Sequence, residues 1–405
     1  MGKSGIYAVF MTLLLATRTL VGEAQVDSTV YNNVLEAIQE SRSKFAPDKR
    51  TRIVELGAVD IPSNRYHIRS TEPEALSYLK QRLQNNAAGL TYSLLPDSSV
   101  ADTRFGVINL SVANLRTEPS HAAEMATQLL LGTAVDILET RSSDYRVRTP
   151  EGYIAWVPKH SATAMNEKDF ADWKSTKKII YTNEFGKSYS KADPTSQRVS
   201  DLVFGNVLIA EAVTDNFYKV RYPDGRKAYI PSNEGQSFES WMNSRQLTTA
   251  NILQSAKTML GLPYLWGGTS VKGVDCSGFT KTVFYMNGYI IPRDASQQIL
   301  AGNQVDILDH KGDFDPQKAL QSLQPGDLLF FAAGKNQRPN PRVTHVAIYI
   351  GNGEFIHAAG SVRINSFMAD RNNYDDFQTR TVIGAKRYMN SSDPLIQKIS
   401  LSRYY

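Results

Sequence analysis

The chain has 405 residues and a formal net charge of +5. Its lysines and arginines form no block and do not alternate with aromatic residues, so we expect no nucleic-acid partner. Cys276 is the only cysteine, which excludes a disulfide within the chain. It is therefore a buried spare thiol, an intermolecular link or a reactive nucleophile. A chain of this length predicts roughly two to four domains.

The N-terminal segment predicts export. Lys3 precedes a largely apolar run over residues 6–16, which is too short to span a bilayer, and "GEA" before Gln25 suits a signal peptidase. We predict a signal peptide over residues 1–24; an uncleaved N-terminal anchor is the alternative. The mature protein is then expected in the periplasm or cell envelope, as a monomer with no stable membrane anchor.

Residues 26–90 are expected to form a short helical region with a packing role. Two segments, "STVYNNVLEAIQESRSKF" and "STEPEALSYLKQRLQNN", place apolar residues three and four positions apart. The second segment opens with a Ser/Thr cap followed by proline and glutamate, as helix starts often do.

The next part of the chain contains an internal repeat of predicted strands and turns. Residues 129–158 align without a gap with residues 202–231, at an offset of 73, and the shared positions include glycines and turn prolines. Matched turn residues require the same backbone conformation in both segments. We predict two small β-barrels, over 91–165 and 175–235, and they resemble bacterial SH3-like domains.

Residues 245–389 are expected to form an α+β domain around Cys276. The thiol follows a glycine-rich loop and falls at the start of a predicted helix, in "GVDCSGFTKTVF". The free N–H groups and positive dipole end of a helix favour a thiolate, which predicts a lowered pKa. They can also stabilise an oxyanion. The polar tail after Asn390 is expected to fray.

Two histidines are predicted on one face of a hairpin. A turn at "GNG" places His357 opposite Ala347, which shares a face with His345, so the two histidines are diagonal neighbours roughly 7 Å apart, and their ring atoms lie within relay distance. A Cys–His–His relay becomes possible. A metal site is the alternative, but we find no third ligand and expect no metal or organic cofactor.

Five linked motifs in this domain resemble those of the NlpC-type cysteine peptidases of bacterial cell walls. They are "PYLWGG", "DCSGF", "IPRDASQQ", "LQPGDLLFF" and "HVAIYIGNGEFIHA". The resemblance implies a papain-like α+β domain in which Cys276 is the nucleophile, His345 the base and His357 the orienting residue. It also implies that Tyr264 helps to hold the oxyanion and that Ser277 lines the site.

SH3-like barrels ahead of such a domain resemble the subfamily that releases L-Ala-γ-D-Glu from peptidoglycan stem peptides with a free N-terminus. That resemblance assigns Asp294, Glu124 and Tyr153 to the substrate amine. An ammonium removed from water needs carboxylate partners, and a barrel across the cleft excludes sugar-linked peptides. The alternatives are an endopeptidase or amidase acting on intact peptidoglycan, and a wall-binding protein with a weak catalytic unit.

Overall fold

The computed structural model describes residues 29–86, 89–214, 216–334, 341–375 and 379–405. The predicted signal peptide lies outside these residues. Within the described ranges, no helix is long and apolar enough to cross a membrane. Single turns of 3₁₀ helix lie at Gln84–Asn86, Ser98–Val100, Lys159–Ser161, Ser232–Glu234 and Ile399–Leu401.

An N-terminal module combines two helices with a three-stranded sheet. Its elements are α1 (Thr29–Phe45), β1 (Val54–Asp60), β2 (Arg65–Ser70), α2 (Pro73–Arg82) and β3 (Leu90–Leu94). Strands β1 and β2 pair antiparallel, and β3 adds to β2 in parallel after the crossover through α2. Apolar residues from both helices and the sheet share one core.

The prediction of a helical region over 26–90 is therefore only partly right. Both helical patterns are confirmed, but the strands between and after them were missed. The predicted Ser/Thr cap of the second helix is wrong, because the N-cap of α2 is Glu72 and its side chain makes no capping bond. β1 reads "VELGAVD" and exposes its last four residues, so it lacks the alternation that marks a half-buried strand. β3 begins where the first barrel was predicted to start, yet it belongs to the N-terminal sheet because it pairs with β2.

A seven-stranded, SH3-like sheet follows. Its strands are β4 (Phe105–Ile108), β5 (Val112–Arg116), β6 (Met125–Leu130), β7 (Ala134–Arg141), β8 (Asp144–Arg148), β9 (Ile154–Pro158) and β10 (Ala162–Met165). Their order across the sheet is β10-β4-β7-β8-β9-β5-β6. The inner faces bury a core that includes Val135, Ile137, Val147 and Val157.

After helix α3 (Glu167–Ser175), a second seven-stranded sheet repeats the first. Its strands are β11 (Lys178–Tyr181), β12 (Phe185–Tyr189), β13 (Arg198–Val203), β14 (Val207–Val213), β15 (Phe217–Arg221), β16 (Lys227–Pro231) and β17 (Gly235–Ser237). Their order is β17-β11-β14-β15-β16-β12-β13, which is the order of the first sheet with seven added to each strand number.

The two sheets also share local irregularities at the offset of 73. The bulge between Ile137 and Glu139 in β7 recurs between Ala210 and Ala212 in β14. Gly132 and Gly205 both have a positive φ, of 84° and 90°, which explains why this turn keeps glycine twice. The internal repeat seen in the sequence is thus a repeat of backbone geometry. The limits 91–165, 175–235 and 245–389 remain proposals for domain boundaries.

The C-terminal part of the chain carries the lone cysteine and both predicted site histidines. Its helices are α4 (Phe238–Ser244), α5 (Thr249–Thr258), α6 (Cys276–Met286), α7 (Ala295–Gln298) and α8 (Pro316–Ser322). Short strands are β18 (Thr269–Ser270), β19 (Gly273–Val274), β20 (Tyr289–Ile290) and, near the end of the chain, β27 (Gln397–Lys398).

A six-stranded antiparallel sheet forms the centre of this domain. It consists of β21 (Asn303–Val305), β22 (Leu328–Ala333), β23 (Val343–Gly351), β24 (Glu354–Ala359), β25 (Ser361–Ser366) and β26 (Arg380–Arg387), in the order β21-β26-β22-β23-β24-β25. Helix α6 packs on one face, where Phe279 and Val283 join Val346 and Ile348 in the core. Apolar residues also cover the other face, and α6 packs beside β23.

The C-terminal tail is ordered, contrary to the prediction that it frays. β27 pairs with β20, and Ile399 and Tyr404 are buried. Arg403 and Tyr404 both bond to the carboxylate of Asp136 in the first SH3-like sheet. A few apolar and aromatic side chains therefore fix a segment whose composition is mainly polar.

One buried and one partly buried ion pair join the N-terminal module to the first SH3-like sheet. Arg69 bonds to Glu139 at 2.5 Å, and Arg146 bonds to Glu55 at 2.6 Å. These charges form a network, because Arg69 also pairs with Glu55, and Glu139 also pairs with Arg141 and Arg146. The module is thus held against the sheet that borders the candidate site.

Candidate active site

The start of helix α6 is built around Asp275. This residue is the N-cap: its Oδ1 accepts from the backbone N–H of Gly278 at 2.6 Å. Its Oδ2 accepts from the N–H of Gly267 at 2.9 Å, which fixes the glycine-rich loop. Gly278 itself lies so close to Gly268 that a Cβ would meet the carbonyl oxygen of Gly268 at 1.9 Å. Cys276 is consequently the first residue of the helix, as the sequence predicted.

A buried arginine from the "IPRDASQQ" motif supports this helix start. Arg293 donates from Nη2 to Oδ2 of Asp275 at 2.7 Å and from Nη1 to Oδ1 at 3.1 Å. Its Nη1 also reaches Ser277, and its Nε donates to Thr127 of the first SH3-like sheet at 2.8 Å. Arg293 therefore ties the nucleophile helix to the neighbouring sheet.

The Cys276 thiol is buried and protonated at rest. Burial raises its pKa to about 12, the Asp275 carboxylate adds to the rise, and hydrogen bonds from the backbone of Val346 and Ser277 oppose it. The prediction of a lowered pKa is therefore wrong, because desolvation outweighs the helix start. Among the described residues, the sulfur bonds to the carbonyl of Thr344 at 4.0 Å and to no imidazole. Thr344 immediately precedes His345, so the thiol lies against the strand that carries the predicted base.

His345 and His357 form a short chain of hydrogen bonds that ends at Asn365. Nε2 of His345 lies 2.8 Å from Nδ1 of His357, and Nε2 of His357 lies 3.1 Å from Oδ1 of Asn365. Nδ2 of Asn365 donates to the carbonyl of Asn373, so Oδ1 faces the imidazole as an acceptor. His357 thus donates from Nε2 and accepts at Nδ1, and His345 donates from Nε2. Nδ1 of His345 is left as the unprotonated nitrogen.

Both imidazoles are neutral in the resting site. Burial is the main reason that the pKa of His357 is lowered to about 3. The Arg380 and Arg363 guanidinium groups also lower this pKa, and the hydrogen bond to Asn365 raises it. Burial and the neighbouring His357 also hold the pKa of His345 well below its usual value. A neutral imidazole at neutral pH is the form that can accept a proton.

Two donors flank the thiol. Burial, together with the nearby Cys276 and Asp275, raises the pKa of Tyr264, so its hydroxyl stays protonated. The backbone N–H of Cys276 has no acceptor among the described residues, as expected in the first turn of a helix. Both groups are suited to donate to an oxyanion, and Ser277 is buried beside them.

A cavity of about 360 Å³ lies next to the thiol. It is lined by six residues predicted from the sequence, which come from two regions of the chain: Glu124, Tyr153, Tyr264, Cys276, Ser277 and Asp294. Neither histidine lines it; beside His345 its wall consists of Val343 and Thr344. The structure thus brings the proposed amine-binding residues and the thiol to one cleft between the first SH3-like sheet and the catalytic domain.

The carboxylates of this cleft are held by partners that the sequence did not reveal. Oε1 of Glu124 accepts from the indole Nε1 of Trp266 at 2.7 Å. Oδ2 of Asp294 accepts from Nη1 of Arg50, in the N-terminal module, at 2.7 Å. Burial and the adjacent Asp294 carboxylate raise the pKa of Tyr153, so this residue is a neutral donor.

Sequence reasoning missed Arg50, Trp266 and Asn365. Trp266 stands in the "PYLWGG" motif and could have been suspected, whereas Arg50 lies 244 positions from Asp294 and carries no motif. Asn365 lies 8 positions after His357 on the adjoining strand, where a hairpin register could have suggested it. In the described part of the chain, no group of three His, Cys, Asp or Glu side chains could hold a metal ion.

Comparison with known proteins matches this architecture. Residues 261–383 match the NlpC/P60 family, and residues 115–161 match the bacterial dipeptidyl-peptidase Sh3 domain. The chain is 32% identical over 253 residues to a gamma-D-glutamyl-L-lysine dipeptidyl-peptidase of Bacillus cereus, covering 60% of this chain and 70% of that protein. It is 26% identical over 274 residues to dipeptidyl-peptidase 6 of Lysinibacillus sphaericus, covering 64% of this chain and 90% of that protein.

A solved structure shares the fold as well. The crystal structure of an NlpC/P60 family protein from Bacillus cereus superposes with a TM-score of 0.58 at 26% identity, covering 70% of this chain and 99% of its own. The predicted α+β catalytic domain preceded by SH3-like structure is thereby confirmed. The chain belongs to the NlpC/P60 family and is a cysteine peptidase of that family.

Proposed function

We propose that this peptidase hydrolyses the γ-D-glutamyl-L-diamino acid bond of peptidoglycan stem peptides that carry a free N-terminal L-Ala, and releases L-Ala-γ-D-Glu. One observation carries the proposal: Glu124, Tyr153 and Asp294 line the same cavity as Cys276. The similarity to a gamma-D-glutamyl-L-lysine dipeptidyl-peptidase supports the coarser statement that the chain acts on peptidoglycan peptides. Export and a periplasmic or envelope location belong to the same proposal.

In the first half of the reaction, Cys276 attacks the γ-carbonyl carbon of D-glutamate. The thiol turns from the Thr344 carbonyl, and its proton passes to Nδ1 of His345 as the sulfur–carbon bond forms. The carbonyl oxygen becomes an oxyanion that accepts from Tyr264 and the N–H of Cys276. His345 then protonates the departing amine of the diamino acid, and a thioester remains on Cys276.

In the second half, water releases the dipeptide. His345 accepts a proton from the water, the hydroxide oxygen attacks the thioester carbon, and the proton returns to the sulfur when the carbon–sulfur bond breaks. His357 accepts from Nε2 of His345 throughout, and Asn365 holds His357 in the matching tautomer. Because both imidazoles start neutral, each proton has a defined acceptor.

Recognition of the free amine follows from the charges at the far end of the cavity. An ammonium that leaves water needs carboxylate partners, and Glu124 and Asp294 provide them. Tyr153 adds a neutral polar group beside Asp294. An acylated amine has no positive charge and carries extra bulk, so the cleft rejects it both electrostatically and sterically.

A paired digestion tests this proposal. The protein is incubated with L-Ala-γ-D-Glu extended by L-Lys or by meso-diaminopimelate, and with the same tripeptides acetylated on the N-terminal amine. Mass spectrometry should detect L-Ala-γ-D-Glu from the free-amine peptides and no N-acetyl-L-Ala-γ-D-Glu from the acetylated ones. Equal cleavage of free and acetylated peptides would instead favour the alternative, an endopeptidase or amidase of intact peptidoglycan with wall-binding SH3-like domains.

A further inference from the structure

Arg50 reaches the amine end of the cavity from the turn after α1. Both oxygens of Asp48 hold its guanidinium, since Nε donates to Oδ1 and Nη2 to Oδ2, each at 2.8 Å. The remaining Nη1 donates to Oδ2 of Asp294 at 2.7 Å and to Oγ of Ser296 at 2.9 Å. One guanidinium therefore bridges the N-terminal module and the residue that we propose for amine binding.

The turn that carries Arg50 is fixed on two sides. The carbonyl oxygen of Arg50 accepts from the N–H of Ile154 in β9 at 2.6 Å. The Gln297 amide, in α7, donates to Oδ2 of Asp48 at 2.8 Å. These partners belong to the first SH3-like sheet and to the catalytic domain. The position of the guanidinium is therefore set by three regions of the folded chain together.

We propose that Arg50 is a positioning residue for substrate specificity: it orients the Asp294 carboxylate and closes the amine end of the cleft. In this way the N-terminal module completes a site that the SH3-like sheet and the catalytic domain leave open. This inference rests on the proposed function, because it concerns recognition of the same free amine.

Arg50 does not cancel the charge that a substrate ammonium needs. Arg50 and Arg293 both contact Asp294, at 2.7 and 3.9 Å. Each guanidinium is also paired with a second carboxylate, Asp48 or Asp275, so the two arginines face three carboxylates and one negative charge remains. Asp294 and Glu124 therefore both remain available to an ammonium. Arg50 donates to Oδ2 of Asp294 at 2.7 Å, whereas Arg293 lies 3.9 Å from Oδ1, beyond hydrogen-bond distance, so Arg50 sets the direction in which the carboxylate accepts.

The test compares Arg50→Ala, Arg50→Lys and the matched control Arg52→Ala in the full chain. Arg52 lies two residues away, is more than half exposed and contacts Glu72 at 3.9 Å, outside the cleft. Steady-state kinetics are measured on L-Ala-γ-D-Glu-L-Lys and on its N-acetyl derivative. Thermal unfolding monitors the fold, and Arg50→Lys decides the question if Arg50→Ala does not fold.

We expect Arg50→Ala to raise KM for the free-amine peptide about tenfold to a hundredfold, with kcat within about twofold, since a charge-assisted bond is lost. The preference in kcat/KM for the free-amine peptide should shrink. Arg50→Lys should raise KM less than Arg50→Ala does, because lysine keeps the positive charge but lacks the forked guanidinium donors. Arg52→Ala should behave as wild type.

Three results would overturn the inference. An unchanged KM in folded Arg50→Ala means that Arg50 does not position Asp294. A fall of kcat for the free-amine peptide as large as the rise of KM means a structural role only, and a rise of kcat/KM means that the guanidinium blocks the cleft. If the wild-type protein cleaves both peptides equally or neither, the proposed function itself fails, and this is seen before any variant is measured.

Discussion

The two SH3-like sheets have the same strand order and the same bulges, yet one of them borders the cleft and the other does not. In the first sheet, Glu124 and Tyr153 line the cavity beside Cys276. At the offset of 73, Gln197 and Arg226 occupy the equivalent positions in the second sheet. Backbone geometry is thus duplicated, while the residues suited to bind an amine are present once.

The equivalent of Tyr153 in the second sheet has a structural contact instead. Arg226 stacks on Tyr222 with its guanidinium carbon 4.5 Å from the ring centre. It also donates to the carbonyl of Asn109, which follows β4 of the first sheet, at 2.8 Å. The second sheet therefore acts as a brace for the first, and the comparison shows that one fold can serve recognition or support depending on a few side chains.

The strongest test of the comparison removes the chemistry next to the first sheet. Cys276→Ala should lower kcat by at least about a thousandfold, since no other nucleophile replaces the sulfur. Its melting temperature should stay close to that of the wild type, because alanine suits a helix start and fills most of the space. Full turnover by the folded variant would show that Cys276 is not the nucleophile and that the neighbouring cavity is not the active site.

A pair of exchanges makes each sheet resemble the other. Glu124→Gln introduces the residue of the second sheet, keeps an oxygen for the Trp266 indole and removes the charge. We expect KM for the free-amine peptide to rise about tenfold to a hundredfold, with little change in kcat. Gln197→Glu, the reverse exchange at an exposed position, should leave both constants unchanged. Equal effects of the two exchanges would show that the two sheets do not differ in substrate binding.

The pH dependence separates the chemistry of the catalytic domain from recognition by the first sheet. His345 must be neutral to act as a base, so activity is present above its pKa and is lost as the pH falls through it. Because burial holds the pKa of His345 well below 6.5, the acid limb of kcat should lie well below pH 6.5. Glu124→Gln should keep this limb; a midpoint near 6.5 in both proteins would mean that the imidazole is solvated.

The smallest expected effect concerns the second sheet. Arg226→Ala loses the stacking on Tyr222 and the bond to Asn109, which together contribute about 1 kcal/mol to the free energy of unfolding. Thermal or urea unfolding should detect this loss, while KM and kcat on the free-amine peptide should not change. A shift in KM instead would show that the brace also shapes the cleft.

The sequence predicted which residues lie together where those residues belong to motifs. Cys276, Tyr264, Ser277 and Asp294 stand in short motifs of one domain, so their proximity follows from local structure. The proximity of the two histidines was predicted from hairpin register, and their ring nitrogens lie 2.8 Å apart. The repeat was also readable, because the turn glycines need a positive φ in both copies.

What the sequence could not predict depends on contacts between distant regions. The sign of the Cys276 pKa shift was wrong because burial of the thiol is a property of the packed domain. The strands of the N-terminal module were missed because parallel pairing of β2 and β3 is not encoded in either strand alone. Arg50 was missed for the same reason, since no local pattern links it to Asp294.

The most direct measurement is a crystal structure of Cys276→Ala with L-Ala-γ-D-Glu-L-Lys. If the first SH3-like sheet and the catalytic domain together bind the free amine, the L-Ala ammonium will lie within hydrogen-bond distance of Glu124 and Asp294. The γ-carbonyl will then lie at residue 276. A peptide whose amine points to solvent, or one bound with its amine away from both carboxylates, would contradict the claim.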